Sequence, residues 1–84
     1  MWIELEKSLR KSIKFKDFKT AWAFMSEVAL VSEQINHHPT WENSYNTVKI
    51  ELQTHDAANI VTQKDKLLAS EIDQILTKYP HELI

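Results

Sequence analysis

The sequence predicts an α+β fold, a four-stranded antiparallel sheet with helices packed on one face in the order β-β-α-β-β-α. Three observations predict it. Apolar residues alternate with polar ones near the start and again in the middle of the chain, the period of half-buried strands. Two other segments repeat their apolar residues every three or four positions, the period of amphipathic helices. The strand segments come in adjacent pairs separated by a helix, which argues for hairpins rather than strict β-α alternation.

The first hairpin runs from Ile3 and Leu5, through a polar turn at Glu6 to Ser8, into Leu9, Lys11, Ile13 and Phe15 on one parity, with Lys14 and Lys16 on the other. At Asp17, a good N-cap residue, the period changes. Phe18, Ala21, Trp22, Met25, Val28, Ala29 and Ser32 form one face of a helix of about five turns. Phe24 and Val31 broaden that face, and Phe24, Leu30 and Val31 are candidates for an outer, partner-facing stripe. Asn36 is suited to a left-handed helix end, and Pro39 takes His38 out of helical geometry. Strand character returns from Thr40 to Thr54, with a turn near Asn46 and Tyr45 packed in the hairpin. Val48, Ile50, Leu52 and Thr54 share one face, with Lys49, Glu51 and Gln53 opposite. A loop follows over 57–61, with Asn59 the best candidate for a positive φ. Thr62 and Asp65 form a capping-box pair for a last helix carrying Leu68, Ile72, Ile75 and Tyr79, closed by Pro80.

Composition narrows the function. Eighty-four residues make one domain, 1–84. There is no cysteine, so neither disulfides nor thiolate metal sites are possible. There is no glycine, which removes glycine-rich phosphate loops and dinucleotide fingerprints. The formal net charge of −2 offers no basic surface for nucleic acid. No apolar run reaches the ~20 residues of a membrane helix. Glu4 and Glu6 interrupt any signal peptide, so a cytoplasmic location is expected.

Histidine carries the chemistry. His37 and His38 sit at the helix-to-strand junction, and His55 ends a strand beside Asp56. His81 lies in the C-terminal tail, where solvation is expected. Imidazole both donates and accepts protons near neutral pH, and element ends leave room for substrate. Three histidines also suit zinc. However, adjacent residues in extended chain point to opposite sides, and no HExxH spacing exists. No metal and no organic cofactor is expected.

Glu33, His37-His38-Pro39, Tyr45, His55 and Asp65, together with the stretches 14–29, 36–41 and 45–56, resemble the spaced signature of pterin-4a-carbinolamine dehydratases along essentially the whole chain. The resemblance implies the same α+β fold. It also implies a lyase that removes water from a 4a-hydroxytetrahydropterin to give the quinonoid dihydropterin, recycling pterin after aromatic amino-acid hydroxylation. His37 and His55 are then the acid–base residues, with His38 an alternative donor or substrate-holding group. Glu33, one turn before His37, would orient it. Pro39 sets the extended exit, and Trp41 and Trp2 would form an aromatic wall for the flat substrate. Asp65 reads equally as a helix cap and as a site residue. A homodimer or homotetramer is implied, and some animal relatives also stabilise dimers of a homeodomain transcription factor. The alternatives are a non-catalytic binding or regulatory module acting by oligomerisation, or a related pterin-binding enzyme. Two departures mark the pocket rim. The family's N-terminal helix before the tryptophan has no counterpart ahead of Met1-Trp2, and Ala57-Ala58-Asn59 stands where the family turns on glycine.

Overall fold

The computed structural model describes residues 2–5, 7–54 and 60–84. His55, Asp56 and Asn59, and most of the 57–61 loop, lie outside the described residues, as does Glu6 of the first turn.

The order is β1 (Ile3–Leu5), β2 (Ser8–Phe15), α1 (Phe18–Ile35), β3 (Thr40–Ser44), β4 (Thr47–Leu52), α2 (Gln63–Leu76) and β5 (His81–Leu83). The sheet is antiparallel in the order β1-β2-β4-β3. The expected ββαββα arrangement is present with a fifth short strand added. β5 pairs with the C-terminal half of β2, along the edge whose other half β1 occupies. That strand is too short to show a period; His81 pairs there with Phe15 and is exposed, solvated as expected. α2 also stops at Leu76, four residues before Pro80, with Thr77 as its C-cap.

The core lies between one sheet face and the helices. Leu9, Ile13 and Phe15 of β2 and Val48, Ile50 and Leu52 of β4 meet Phe24, Met25 and Val28 of α1 and Leu68, Ile72 and Ile75 of α2. Phe24 is the hinge of this packing. Its ring lies 5.1 Å from Phe15 and 6.4 Å, edge-on, from Tyr79. It is therefore core, not outer stripe, and only Leu30 of that stripe is strongly exposed. Conversely, Phe18 and Trp22 leave the core and stack on each other at 6.0 Å. The buried stripe of α1 keeps Ala21, Met25, Val28 and Ser32 of the expected face and adds Phe24, while Phe18 and Trp22 stay outside it.

The first hairpin departs from its apolar pattern too. Ile3 pairs with Arg10 and Leu5 with Ser8, so both apolar residues lie on the sheet side away from the helices and are exposed. Tyr45 is exposed rather than packed, because the two-residue turn to Asn46 requires φ 50° there. In a chain without glycine, a tyrosine takes the left-handed conformation. Asn46 supports the turn by donating its amide to the Phe15 carbonyl at 2.8 Å.

Candidate active site

The site grows from the end of α1. Asn36 adopts φ 53°, ψ 44°. The Asn36 N–H then donates to the Glu33 carbonyl at 3.3 Å, and the His37 N–H to the Ser32 carbonyl at 3.0 Å. This is a Schellman ending with asparagine in the glycine position. It satisfies the last helical carbonyls and fixes the direction in which His37 leaves the helix. Ser32 is itself buried and bonded back to the Val28 carbonyl at 2.8 Å.

His37 turns inward. Its side chain is 11% exposed, and its Nε2 lies 2.6 Å from Oδ1 of Asp65, which is 0% exposed. Asp65 sits at the third position of α2 and serves two tasks with its two oxygens. Oδ2 accepts the Thr62 N–H at 2.8 Å, closing the helix cap, and the Thr54 hydroxyl at 2.7 Å. Oδ1 is left for His37. Burial pushes the Asp65 carboxyl up, but the hydrogen bonds from His37, Thr54 and Thr62, with the positive charge of His37, outweigh it and hold the group below its ordinary value. Asp65 is thus an ionised acceptor, so the proton of the 2.6 Å bond sits on His37 Nε2. Nδ1 is the nitrogen left to exchange protons.

The expected role of Glu33 is corrected. Its carboxylate lies 2.5 Å from Nε2 of His38, not against His37. Both members of that pair are exposed, so the pair is worth little to stability. The residue that orients His37 is Asp65, twenty-eight positions away in sequence. Periodicity within α1 could find Glu33 but not a partner on another helix. The Thr62–Asp65 spacing identified a cap, and the family signature offered Asp65 as a site residue, but neither tied it to His37.

Trp41 is half-buried on β3, opposite Ile50 and packed on the core. Pro39 is half-buried at the junction. Trp2 belongs to a separate cluster. Its indole N–H donates to Asp73 Oδ1 at 2.9 Å, and the Lys11 ammonium reaches the same oxygen at 2.6 Å while lying 5.1 Å from the Trp2 ring centre. Asp73 is eight residues beyond Asp65 on α2, roughly 12 Å along the helix. The described residues therefore bring together His37, Asp65, Thr54 and Thr62, with His38 and Glu33 beside them on the outside. Trp2 is held at a distance. His55 follows Thr54 directly in sequence and lies outside the described residues.

A buried carboxylate behind a histidine, at a helix–proline–strand junction, is chemically able to hold and pass a proton, and comparison with known proteins identifies the family. The sequence pattern described as "Pterin 4 alpha carbinolamine dehydratase" matches residues 1–75. The chain belongs to this family. It is 51% identical over 75 residues to a Prochlorococcus marinus protein named "Putative pterin-4-alpha-carbinolamine dehydratase", covering 89% of this chain and 78% of the relative. The crystal structure of a transcriptional coactivator/pterin dehydratase from Brucella melitensis superposes with a TM-score of 0.83 at 41% identity, over 88% of this chain and 80% of that one. A pterin dehydratase-like protein identified as a RuBisCO assembly factor in the alpha-carboxysome shares the fold, with a TM-score of 0.75 at 23% identity over 88% and 87% of the two chains.

Proposed function

We propose that this protein dehydrates a 4a-hydroxytetrahydropterin to the quinonoid dihydropterin by histidine acid–base catalysis, in pterin recycling. The observation that carries the reading is the 2.6 Å bond between His37 Nε2 and the buried Asp65. It leaves Nδ1 of His37 as a base when the ring is neutral and as an acid when it is protonated. In the reaction, the N5–H proton is removed and its electron pair forms the C4a=N5 bond. The C4a–O bond breaks as the 4a-hydroxyl accepts a proton and departs as water. The balance is one water lost with no electron transfer, so two proton-transfer groups suffice. We assign these to His37 and His55. His38, held by Glu33 at the surface, serves as a substrate-holding group or an alternative donor. Trp41 and Pro39 line the approach, and Trp2 acts further off through its Asp73 anchor.

Synthetic 4a-hydroxytetrahydropterin followed by stopped-flow absorbance tests the reading. The wild type accelerates its decay, and His37→Ala and His55→Ala each lose about 10²-fold or more. A wild-type rate equal to that of buffer overturns it. Self-association as a homodimer or homotetramer is part of the same reading. It is supported by the β3 edge, which among the described residues pairs only with β4, and by the exposed Phe18, Trp22 and Leu30 of α1. Light scattering decides it. A monomer at micromolar concentration would remove that part.

A further inference from the structure

Asp65 is held by more than a helix cap requires. A cap needs the Thr62 N–H alone, yet the carboxylate also receives the hydroxyl of Thr54, two residues beyond β4. Thr54 is buried, and its Oγ1 makes two short contacts, 2.7 Å to Asp65 Oδ2 and 2.6 Å to Thr62 Oγ1. A hydroxyl has one proton. An ionised carboxylate only accepts, so the Thr54 proton is directed at Asp65. The 2.6 Å contact must then be donated by Thr62. The opposite order would leave two oxygens 2.7 Å apart with no proton between them. Thr62 is also 3.5 Å from the same Asp65 oxygen, too long to compete. The hydroxyls thus form a one-way chain, Thr62 to Thr54 to Asp65, ending on the oxygen that does not face His37.

The chain has a consequence for the histidine. With Oδ2 committed to Thr54 and to the Thr62 N–H, the carboxylate cannot rotate without breaking two bonds, and Oδ1 stays aimed at His37 Nε2. Thr54 is itself fixed, since its N–H donates to the Ile60 carbonyl at 2.9 Å. We propose that Thr54 is a positioning residue: its hydroxyl locks the Asp65 carboxylate so that His37 keeps its proton on Nε2 and presents Nδ1 as the proton-transfer atom. The kinetic consequence rests on the dehydratase reading. The tautomer does not: it rests on the bond geometry around an ionised Asp65.

The test uses Thr54→Val, which removes the hydroxyl and keeps the shape, and Thr54→Ser, which restores it. The kinetics of 4a-hydroxytetrahydropterin decay are read alongside ¹⁵N–¹H correlation of the histidine rings. In the wild type, His37 shows an Nε2–H tautomer with a protected proton. In Thr54→Val that proton broadens by exchange and kcat falls about tenfold, the scale of one bond to a charged group, with KM changed less than about twofold. Thr54→Ser recovers the protected proton and most of kcat. A Thr54→Val protein with wild-type kcat and a wild-type His37 resonance overturns the proposal, as does a wild-type His37 protonated on Nδ1. Should Thr54→Val not fold, Thr62→Val carries the kinetic test. The chain requires its kcat to fall by about threefold, and an unchanged kcat overturns it. A wild type that loses no water from the substrate, but shows the Nε2–H signature and its loss in Thr54→Val, sinks the dehydratase reading and leaves the positioning intact.

Discussion

Replacing Asp65 with asparagine isolates charge from shape. Asp65 accepts three bonds, from His37 at 2.6 Å, Thr54 at 2.7 Å and the Thr62 N–H at 2.8 Å. An asparagine that places its carbonyl oxygen where Oδ2 now lies keeps the last two. Its amide nitrogen then faces His37 Nε2, donor against donor. The imidazole must move its proton to Nδ1 to accept from the amide, or lose the bond. The charge-assisted bond is worth about 1.5–3 kcal/mol, and that is the expected loss of stability at pH 7 by urea unfolding. The effect on kcat is larger, because Nδ1 is then occupied by the wrong proton. We expect a fall of about 10²–10⁴-fold, the range for a positioned acid–base group. The pH dependence follows from the direction of the Asp65 shift. Its folded carboxyl is depressed, so its contribution is fully present above the unfolded value of about 3.9 and is lost as pH falls through the folded one. The stability gap between wild type and Asp65→Asn therefore closes on acidification below about pH 4. An asparagine variant with wild-type kcat and a stability within about 0.5 kcal/mol at pH 7 would refute the reasoning.

Three further outcomes test the fold around the site. Asp73→Ala strands Lys11, whose side chain is 5% exposed, and frees the Trp2 indole. It should cost about 1–3 kcal/mol in urea unfolding and shift tryptophan emission, whereas Lys11→Met with Asp73 intact costs less. Phe24→Ala empties the space between Phe15 and Tyr79 and should lower stability by about 3–5 kcal/mol. The Glu27 carboxylate accepts the Tyr79 hydroxyl, and that bond, with burial and the glutamate charge, raises the phenol above its ordinary value of 10.0. Ultraviolet titration should show a tyrosine ionising above that value, and Glu27→Gln should bring it down.

The strands, helices and caps were legible because they are local. Alternation at Val48, Ile50 and Leu52, the Asp17 cap with Thr20 N at 2.8 Å, and the left-handed Asn36 each depend on neighbours within a few residues. What the sequence hid depends on distant partners. Helical spacing allowed Phe24 to broaden the buried face, but nothing local says that it, and not Trp22, fills the sheet–helix space. Nothing near Ile3 says that the hairpin register sets it opposite Arg10. The histidines were legible as candidates, and the order of their partners was not. Glu33 was matched to His37 by helical spacing, but the Schellman ending rotates His37 inward to α2 and leaves His38 to Glu33. Lys11 shares the core parity of β2 with Leu9, Ile13 and Phe15, and it is buried. Its burial became intelligible only with Asp73 and Trp2 beside it.

In the proposed function, His37 and Asp65 act as one proton-transfer unit in dehydration. A double-mutant cycle of His37→Ala and Asp65→Asn on kcat/KM for 4a-hydroxytetrahydropterin tests it most directly. The double variant should be no slower than His37→Ala alone, because Asp65 has no histidine left to hold. Losses that multiply, each substitution costing the same with or without the other, would contradict it.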